Sequence, residues 1–189
     1  MQEIDRTMRS FGMPVGPIEL LDDVGIDVAM KASETLAAAW PERMPTDPSF
    51  SRMVESGRLG RKARKGFYLY KGDKRVGEDP GVRRELGLPS PPESKGGAAE
   101  IQRRLVLPMI NEAAFCLTEG IVASPAKLDL AMIFGIGFPP FRGGLLAHAD
   151  EVGARTVVRG LEALAASQGP RFAPAPRLVE MAKAGKTFF

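Results

Sequence analysis

The sequence has very few of the residues that build disulfides, metal centres and redox sites. Its 189 residues include one cysteine, Cys116, and one histidine, His148. A single thiol cannot form an internal disulfide, and one thiol with one imidazole cannot supply the ligands of a structural metal site. The sequence therefore excludes a disulfide-built domain and a thiolate metal centre within the chain, and it fits a reducing compartment.

The sequence also lacks long apolar runs and a strong excess of one charge. No stretch approaches the roughly 18 apolar residues of a membrane span, the first ten residues have no apolar signal region, and the final KTFF matches no targeting tag. Basic and acidic residues number 26 and 23, a net charge of +3. We therefore expect a cytoplasmic protein without a membrane span, whose mild positive charge is compatible with an anionic ligand.

Apolar residues recur at the spacing of a buried helix face along most of the chain. Ile4, Met8 and Phe11 begin this pattern, and Asp47-Pro48 and Ser124-Pro125 are each typical of an N-cap followed by a first helical residue. The sequence therefore predicts an all-α fold. The predicted helices cover 4–11, 17–24, 28–39, 48–56, 101–119, 125–134, 145–151, 155–166 and 177–184.

Two stretches interrupt the helical pattern. Phe67 to Tyr70 is a short aromatic run that favours a strand, and 71–98 carries charges, glycines and clustered prolines without a periodic apolar face. We expect 71–98 to be a linker between two helical domains, 1–70 and 99–189. Pro108 lies inside a predicted helix and should kink it or open its first turns.

The two helical domains contain similar short sequences in the same order, which is typical of an internal repeat. The matching pairs are Ile4-Asp5 with Leu128-Asp129, Gly12-Met13-Pro14 with Gly137-Phe138-Pro139, Val24-Gly25 with Val152-Gly153, and Arg52–Glu55 with Arg177–Glu180. Two of these matches have one offset, because 137 − 12 and 177 − 52 both equal 125. The sequence therefore predicts a tandem duplication of a helical unit. The long helix predicted at the start of the second copy has no counterpart in the first.

Four segments carry a resemblance to the C-terminal region of 3-hydroxyacyl-CoA dehydrogenases. Gly12–Asp27 is similar to the family pattern G-x-P-M-G-P-F-E-L-x-D-x-V-G-L-D, and Gly60–Tyr68 to G-x-K-T-G-x-G-F-Y. Gly137–Gly144 and Pro108–Glu112 resemble the second C-terminal copy in bacterial multifunctional β-oxidation α-subunits. Ala63-Arg64 replaces the usual Thr-Gly, so this loop departs from the family pattern at the position of its glycine.

The resemblance implies two copies of the helical module that resembles the C-terminal domain of 6-phosphogluconate dehydrogenase. The first copy, 1–70, would lack its first helix, and the second, 99–189, would be degenerate. It further implies an L-3-hydroxyacyl-CoA dehydrogenase whose NAD and catalytic His–Glu pair lie in domains outside this chain. An enoyl-CoA hydratase domain and a thiolase β-subunit are the implied partners. The chain alone would then be inactive; a non-catalytic dimerisation or interaction module is the alternative.

The resemblance places three residues at the border of the acyl-chain pocket: Met13, Pro14 and Leu20. Methionine offers an adaptable apolar surface, and proline fixes the backbone of the loop. Ordinary packing between helices is an equally good explanation of the same three residues. We therefore expect acyl-CoA substrate contact here, and no catalytic, cofactor or metal residue in the chain.

Several other sequence features could suggest a functional site but are better explained by structure. Gly135-Ile136-Gly137 follows a helix, so it predicts a helix C-cap rather than a dinucleotide site. His148 and Asp150 are two residues apart and would not face each other on a helix. Arg103 stands where the family has a substrate-binding asparagine; a guanidinium cannot accept a hydrogen bond, so the second copy is expected to be structural.

A basic segment precedes the predicted strand. Its cations are Arg61, Lys62, Arg64 and Lys65, and its aromatic neighbours are Phe67, Tyr68 and Tyr70. Such a patch can bind nucleic acid through phosphate contacts and stacking, or it can contact the phosphates of coenzyme A. Because acidic residues are nearly as numerous in the chain and no nucleic-acid motif is recognisable, a solvated loop is the preferred interpretation.

Overall fold

The computed structural model describes residues 1–87 and 97–189, and these residues are mostly helical. The α-helices are α1 Gln2–Phe11, α2 Pro17–Val24, α3 Ile26–Ala39, α4 Pro48–Glu55, α5 Pro80–Glu85, α6 Gly97–Thr118, α7 Pro125–Ile136, α8 Leu145–Val152, α9 Ala154–Gln168 and α10 Pro176–Ala184. The strands are β1 Tyr68–Lys71 and β2 Lys74–Glu78, which pair antiparallel. The predicted helical fold is thus confirmed, with one small hairpin added to it.

Contacts divide the chain into two compact units, which we call the N-terminal unit and the C-terminal unit. The N-terminal unit contains Met1–Ser10 and Val15–Ala98, and the C-terminal unit contains Phe11–Pro14 and Ala99–Phe189. The short segment Phe11–Pro14 therefore packs with helices that follow it by more than a hundred residues.

The core of the N-terminal unit joins helices to the hairpin. Its buried members are Ile26, Met53, Phe67, Tyr68, Tyr70, Val82 and Leu86. They come from α3, α4, the hairpin and α5, so the aromatic run that predicted a strand forms one wall of this core. α2 packs against α3, and α3 packs against α4.

The predicted linker over 71–98 is wrong for residues 71–87. Lys74–Glu78 forms β2, and Asp79 caps α5 by accepting a hydrogen bond from the Gly81 N–H at 2.8 Å. Val82 and Leu86 are one helical turn apart and bury their side chains in the core. Two apolar residues are enough for a helix this short. They do not form the longer periodic apolar pattern that predicts a helix from sequence, because most of their neighbours are charged. Residues 88–96 of the linker prediction lie outside the described part of the chain.

The regular secondary structure in the described residues of the C-terminal unit is helical. Its most buried large side chains are Ile110, Phe138, Leu145, Leu146, Leu161, Leu164 and Leu178. α9 packs against both α8 and α10, and α7 packs against α8. α6 continues through Pro108 as one helix from Gly97 to Thr118. Among the helices of residues 1–87 and 97–189, none is both long enough and apolar enough to cross a bilayer.

The joint between α7 and α8 requires a glycine. Asp129 on α7 accepts hydrogen bonds from the N–H groups of Leu146 and Ala147, at 2.7 and 3.1 Å. Gly144, the N-cap of α8, has φ 123°, and a Cβ added there would lie 2.3 Å from Cγ of Asp129. Only a residue without a side chain leaves room for the carboxylate at the helix terminus.

We predict that Gly144→Ala destabilises the protein by about 3 kcal/mol, because it combines a strained backbone with overlap against Asp129. The measurement is the shift of the urea unfolding transition, followed by far-UV circular dichroism. Gly135→Ala is the control, since a Cβ at Gly135 meets no atom within 4 Å and the residue lies within α7. That control should be neutral or stabilising by up to about 1 kcal/mol. Equal transitions for the two variants would contradict the prediction.

Candidate functional site

The loop that carries the predicted substrate residues leads into α2, whose N-terminus is held by Asp5. The Asp5 carboxylate accepts hydrogen bonds from the N–H groups of Ile18 and Glu19 at 2.8 and 3.2 Å. A Cβ on Gly16 would lie 2.3 Å from Cγ of Asp5. The carboxylate therefore occupies the space that any larger N-cap residue would need. It satisfies two of the N–H groups that the first turn of a helix leaves without a partner.

A second buried carboxylate, Asp22, holds the start of the hairpin. It accepts hydrogen bonds from the N–H groups of Phe67 and Tyr68, each at 2.9 Å, and from the Tyr70 hydroxyl at 3.0 Å. The Tyr68 hydroxyl donates to Asp5 at 2.6 Å. Burial, reinforced by these carboxylates, raises the pKa of Tyr68 and of Tyr70, so both hydroxyls stay protonated and act as donors.

The C-terminal unit contains the same two interactions. Asp129 holds the first turn of α8, as Asp5 holds the first turn of α2. Asp150 accepts the N–H of Phe188 at 2.9 Å and that of Phe189 at 3.1 Å, as Asp22 accepts those of Phe67 and Tyr68. Each unit therefore positions a helix and a C-terminal extended segment with a pair of aspartates.

The three predicted substrate residues fall in different units. Leu20 lies on α2 of the N-terminal unit and is 42% exposed. Met13 is half-buried in the C-terminal unit, and the Pro14 ring packs against the backbone there; a Cβ on Gly137 would lie 2.6 Å from its Cγ. The role of these three residues at an acyl-chain pocket stays a prediction.

Phe11, the last residue of α1, is the buried anchor of this segment within the C-terminal unit. Its ring meets Phe138 edge to face, with centroids 5.8 Å apart. Arg142 donates to the Phe11 carbonyl at 3.1 Å and lies 4.0 Å from the Phe11 ring centre. This contact was not predicted from the sequence, although Phe138 and Arg142 both lie in the GFPPFRGG segment that carried the family resemblance.

His148 packs beside the same aromatic pair, with its ring 5.4 Å from that of Phe11. Its Nδ1 atom lies 3.3 Å from the Glu151 carboxylate, at a separation of three residues. Asp150 instead binds backbone N–H groups of Phe188 and Phe189. His148 is thus a half-buried packing residue, and its acidic neighbour in space is Glu151.

The Gly135-Ile136-Gly137 segment ends α7, as the sequence predicted. Gly137 has φ 69°, and its N–H donates to the Ile133 carbonyl at 3.1 Å. A dinucleotide fingerprint needs a strand before its glycines, and α7 occupies that place. Within residues 1–87 and 97–189 the sheet is a two-stranded antiparallel pair, so these glycines do not belong to a strand–turn–helix dinucleotide motif.

Two of the four cations in the basic segment before the hairpin pair with acidic residues distant in sequence. Arg61 binds Asp23 at 2.6 Å, and Lys62 binds Asp27 at 2.5 Å. Arg64 is the described non-glycine residue with a left-handed backbone, at φ 60°, in the place of the usual glycine. The segment therefore attaches the hairpin to α2 and α3.

Arg103, at the position of the family asparagine, is exposed and pairs with Glu100 at 2.5 Å. Asn111, deeper on α6, is buried: its amide donates to the Ala173 carbonyl at 2.9 Å and accepts from the Ala175 N–H at 2.8 Å. It ties α6 to the start of α10. Within the described ranges, no three His, Cys, Asp or Glu side chains come together as a metal ion would require.

A match to a protein-family model identifies the family to which the chain belongs. The model of the 3-hydroxyacyl-CoA dehydrogenase C-terminal domain matches residues 1–70 and 101–187. Because that match covers most of the chain, the chain belongs to this family, and the resemblance found in the sequence is confirmed.

The relatives that match include the fatty acid oxidation complex subunit alpha of two bacteria. The protein of Idiomarina loihiensis is 45% identical over 190 residues, and that of Shewanella amazonensis is 46% identical over 191. Each match covers all of this chain and 27% of the relative. The chain therefore spans about a quarter of the length of these curated relatives.

Two solved structures share the fold. The 3-hydroxybutyryl-CoA dehydrogenase of Escherichia coli K12 superposes with a TM-score of 0.73 at 21% identity, covering 97% of this chain and 54% of that one. The dehydrogenase part of multifunctional enzyme 1 from C. elegans gives a TM-score of 0.68 at 22% identity, covering 95% and 41%. At these identities the likeness establishes the fold.

We predict that Asp22→Asn destabilises the N-terminal unit by about 2 kcal/mol, because one carboxylate oxygen that accepts hydrogen bonds becomes an N–H donor. Burial raises the pKa of Asp22 above 3.8. The Asp22 carboxyl group therefore keeps its proton in the folded state at a pH where it has lost that proton in the unfolded state. The stability advantage of the wild type over the variant should then shrink as pH rises from 3.8 through the raised pKa.

The measurement is the difference in urea midpoint between the wild type and Asp22→Asn at a series of pH values. Asp23→Asn is the control, since it removes an exposed neighbouring carboxylate that binds Arg61. It should cost less than about 1 kcal/mol. A constant difference for Asp22→Asn across the acidic range would show that Asp22 does not titrate with folding.

Proposed function

We propose that this chain is the C-terminal region of an NAD-dependent L-3-hydroxyacyl-CoA dehydrogenase of fatty-acid β-oxidation. The observation that carries the proposal is the match of 1–70 and 101–187 to the dehydrogenase C-terminal domain, with 27% coverage of relatives that are 45% identical. In this proposal the nicotinamide site, the catalytic pair and an enoyl-CoA hydratase domain belong to the rest of a longer polypeptide.

The role proposed for this region is to close over the acyl-CoA and to hold the assembly together. Four aspartates organise the two units: Asp5, Asp22, Asp129 and Asp150. None of them is free for proton transfer, because each already binds a pair of backbone N–H groups. These contacts suit a scaffold whose parts must keep fixed positions. The isolated chain is proposed to be inactive, and the longer protein to work in the cytoplasm, with a thiolase β-subunit as a candidate partner.

We also propose that the two units are copies of one module, with β2 and α5 belonging to the first unit. The support is the repeated placement of Asp5 and Asp129 before a helix, and of Asp22 and Asp150 against an extended segment. The counterpart of α6 in the first copy would precede Met1 in the longer polypeptide. The exposed Arg103–Glu100 pair supports a structural role for the second copy.

A stand-alone interaction module remains the second candidate, and an apolar surface favours it. Phe134 and Leu130 lie one turn apart on α7 and are 84% and 54% exposed. Contiguous exposed apolar side chains are typical of interaction surfaces.

The size of the native polypeptide separates these two candidates. An antibody against this chain should detect a band several-fold heavier than 20.4 kDa in the source cells if the chain belongs to a dehydrogenase subunit. A band at 20.4 kDa would favour the interaction module. A chimera supplies the functional test: this chain replaces the matching quarter of the Idiomarina loihiensis subunit. Dehydrogenase activity in the chimera supports the proposal.

We predict that Leu20→Asp in this chimera raises the KM for long-chain 3-hydroxyacyl-CoA about tenfold, with little effect on the four-carbon substrate. Each methylene that loses an apolar contact costs about 0.8 kcal/mol, so two lost contacts give that factor. Leu36→Asp is the control, because Leu36 lies on α3 with a similar exposure, 41% against 42%. Equal changes for both chain lengths would place Leu20 outside the acyl pocket.

A further inference from the structure

A cleft of about 620 Å³ opens in the N-terminal unit between α1 and β2. Arg6 and Arg9 line it from α1, and Arg75 lines it from β2. Residues three apart share one face of a helix, so both α1 arginines project on the same side. Three guanidinium groups therefore meet around one open cavity.

Two of these arginines are held in position. Arg9 and Arg75 both bind the Glu19 carboxylate, Arg75 at 3.1 Å, and the Arg75 guanidinium lies 4.7 Å from the centre of the Tyr68 ring. A guanidinium carries five N–H donors, so neither contact exhausts its capacity. Fixed donors lose less conformational entropy when they bind an anion than mobile side chains do.

The charge in the cleft is not balanced. Three guanidinium groups face the carboxylates of Glu19 and Asp5, and Asp5 lies 3.9 Å from Arg75. The Asp5 oxygens already accept three hydrogen bonds, from Ile18, Glu19 and Tyr68. Among the described residues, Arg6 forms no ion pair. The cleft thus keeps an excess positive charge at its open side.

The fold does not require arginine at these positions. Asp5 and Asp129 make equivalent contacts in their units and are 129 − 5 = 124 residues apart. That offset places Leu130 at the position of Arg6 and Ile133 at that of Arg9. The same helix face is therefore apolar in the C-terminal unit. Of the two corresponding helices, only α1 carries arginines on this face.

We propose that this cleft binds a phosphorylated anion, with Arg6 as the free donor and Arg9 and Arg75 as positioned donors. Guanidinium groups match phosphate oxygens in geometry and stay charged at any physiological pH. The source of phosphate that the proposed function offers is coenzyme A, which carries a 3′-phosphate and a diphosphate; the assignment to coenzyme A rests on that function. Inorganic di- or monophosphate shares the same chemistry.

The test is isothermal titration calorimetry of the 189-residue chain with coenzyme A, dephospho-coenzyme A, pyrophosphate and pantetheine. Coenzyme A and pyrophosphate should bind, and pantetheine, which has no phosphate, should not. Arg6→Ala should weaken both by about tenfold, or 1.4 kcal/mol. Weaker binding of dephospho-coenzyme A would assign the 3′-phosphate to the cleft. Raised salt should reduce the affinity, because the site is open to solvent.

Arg104→Ala is the matched control, since Arg104 is an exposed arginine on α6 of the other unit. Equal losses in the Arg6 and Arg104 variants would overturn the proposal in favour of general electrostatic attraction. Tight coenzyme A binding that Arg6→Ala leaves unchanged would also overturn it, while the proposed dehydrogenase function would stand. Arg6-dependent binding of pyrophosphate without binding of coenzyme A would support the phosphate site and remove coenzyme A as its source.

Discussion

Each unit depends on carboxylates placed against pairs of backbone N–H groups. A helix leaves the N–H groups of its first turn without partners inside the helix, and a buried N–H without a partner is costly. Asp5 and Asp129 supply acceptors from the preceding helix, and their negative charge also suits the positive end of the helix dipole. The interaction fixes both the distance and the angle between consecutive helices, because two hydrogen bonds to one rigid carboxylate permit little rotation.

This constraint explains the glycines on the other side of each joint. The side chain of the aspartate occupies the volume that a Cβ at Gly16 or Gly144 would fill. Sequence and packing are therefore coupled over a dozen residues: the aspartate requires the glycine, and the glycine allows the next helix to begin close to the aspartate. Asp22 and Asp150 extend the same principle to the extended segments that complete each unit.

The helices were predictable because their signals are local. Periodic apolar residues and the Asp-Pro and Ser-Pro starts gave most of the α-helices and the end of α7 at Gly137. Features that depend on residues far apart in the sequence were not predicted. β2 has alternating half-buried residues among charges, and its partner strand decides its conformation. Arg61 and Lys62 were predicted to lie in a solvated loop. They instead pair with carboxylates on α2 and α3, and the sequence could not show that pairing.

Arg58 illustrates the same limit inside the core. It is a buried arginine whose guanidinium binds Asp79, Glu85 and the Gly66 carbonyl. It therefore joins the loop before the hairpin to α5. Nothing in the local sequence distinguishes it from the exposed arginines around it. A buried guanidinium is stable only when its donors are satisfied, and acceptors from two separate segments meet that condition only after folding.

In the proposed repeat α1 corresponds to α7, and comparing the two helices separates what the module needs from what it can vary. Both helices carry the aspartate that organises their unit, so that face is fixed by folding. The adjoining face bears Arg6 and Arg9 in one unit and Leu130 and Ile133 in the other, with no effect on the joint itself. A position that tolerates both a cation and an aliphatic side chain is free of the fold's demands. Differences in function between the two units should therefore be sought on this face, where a change in side chain alters binding and leaves the scaffold intact.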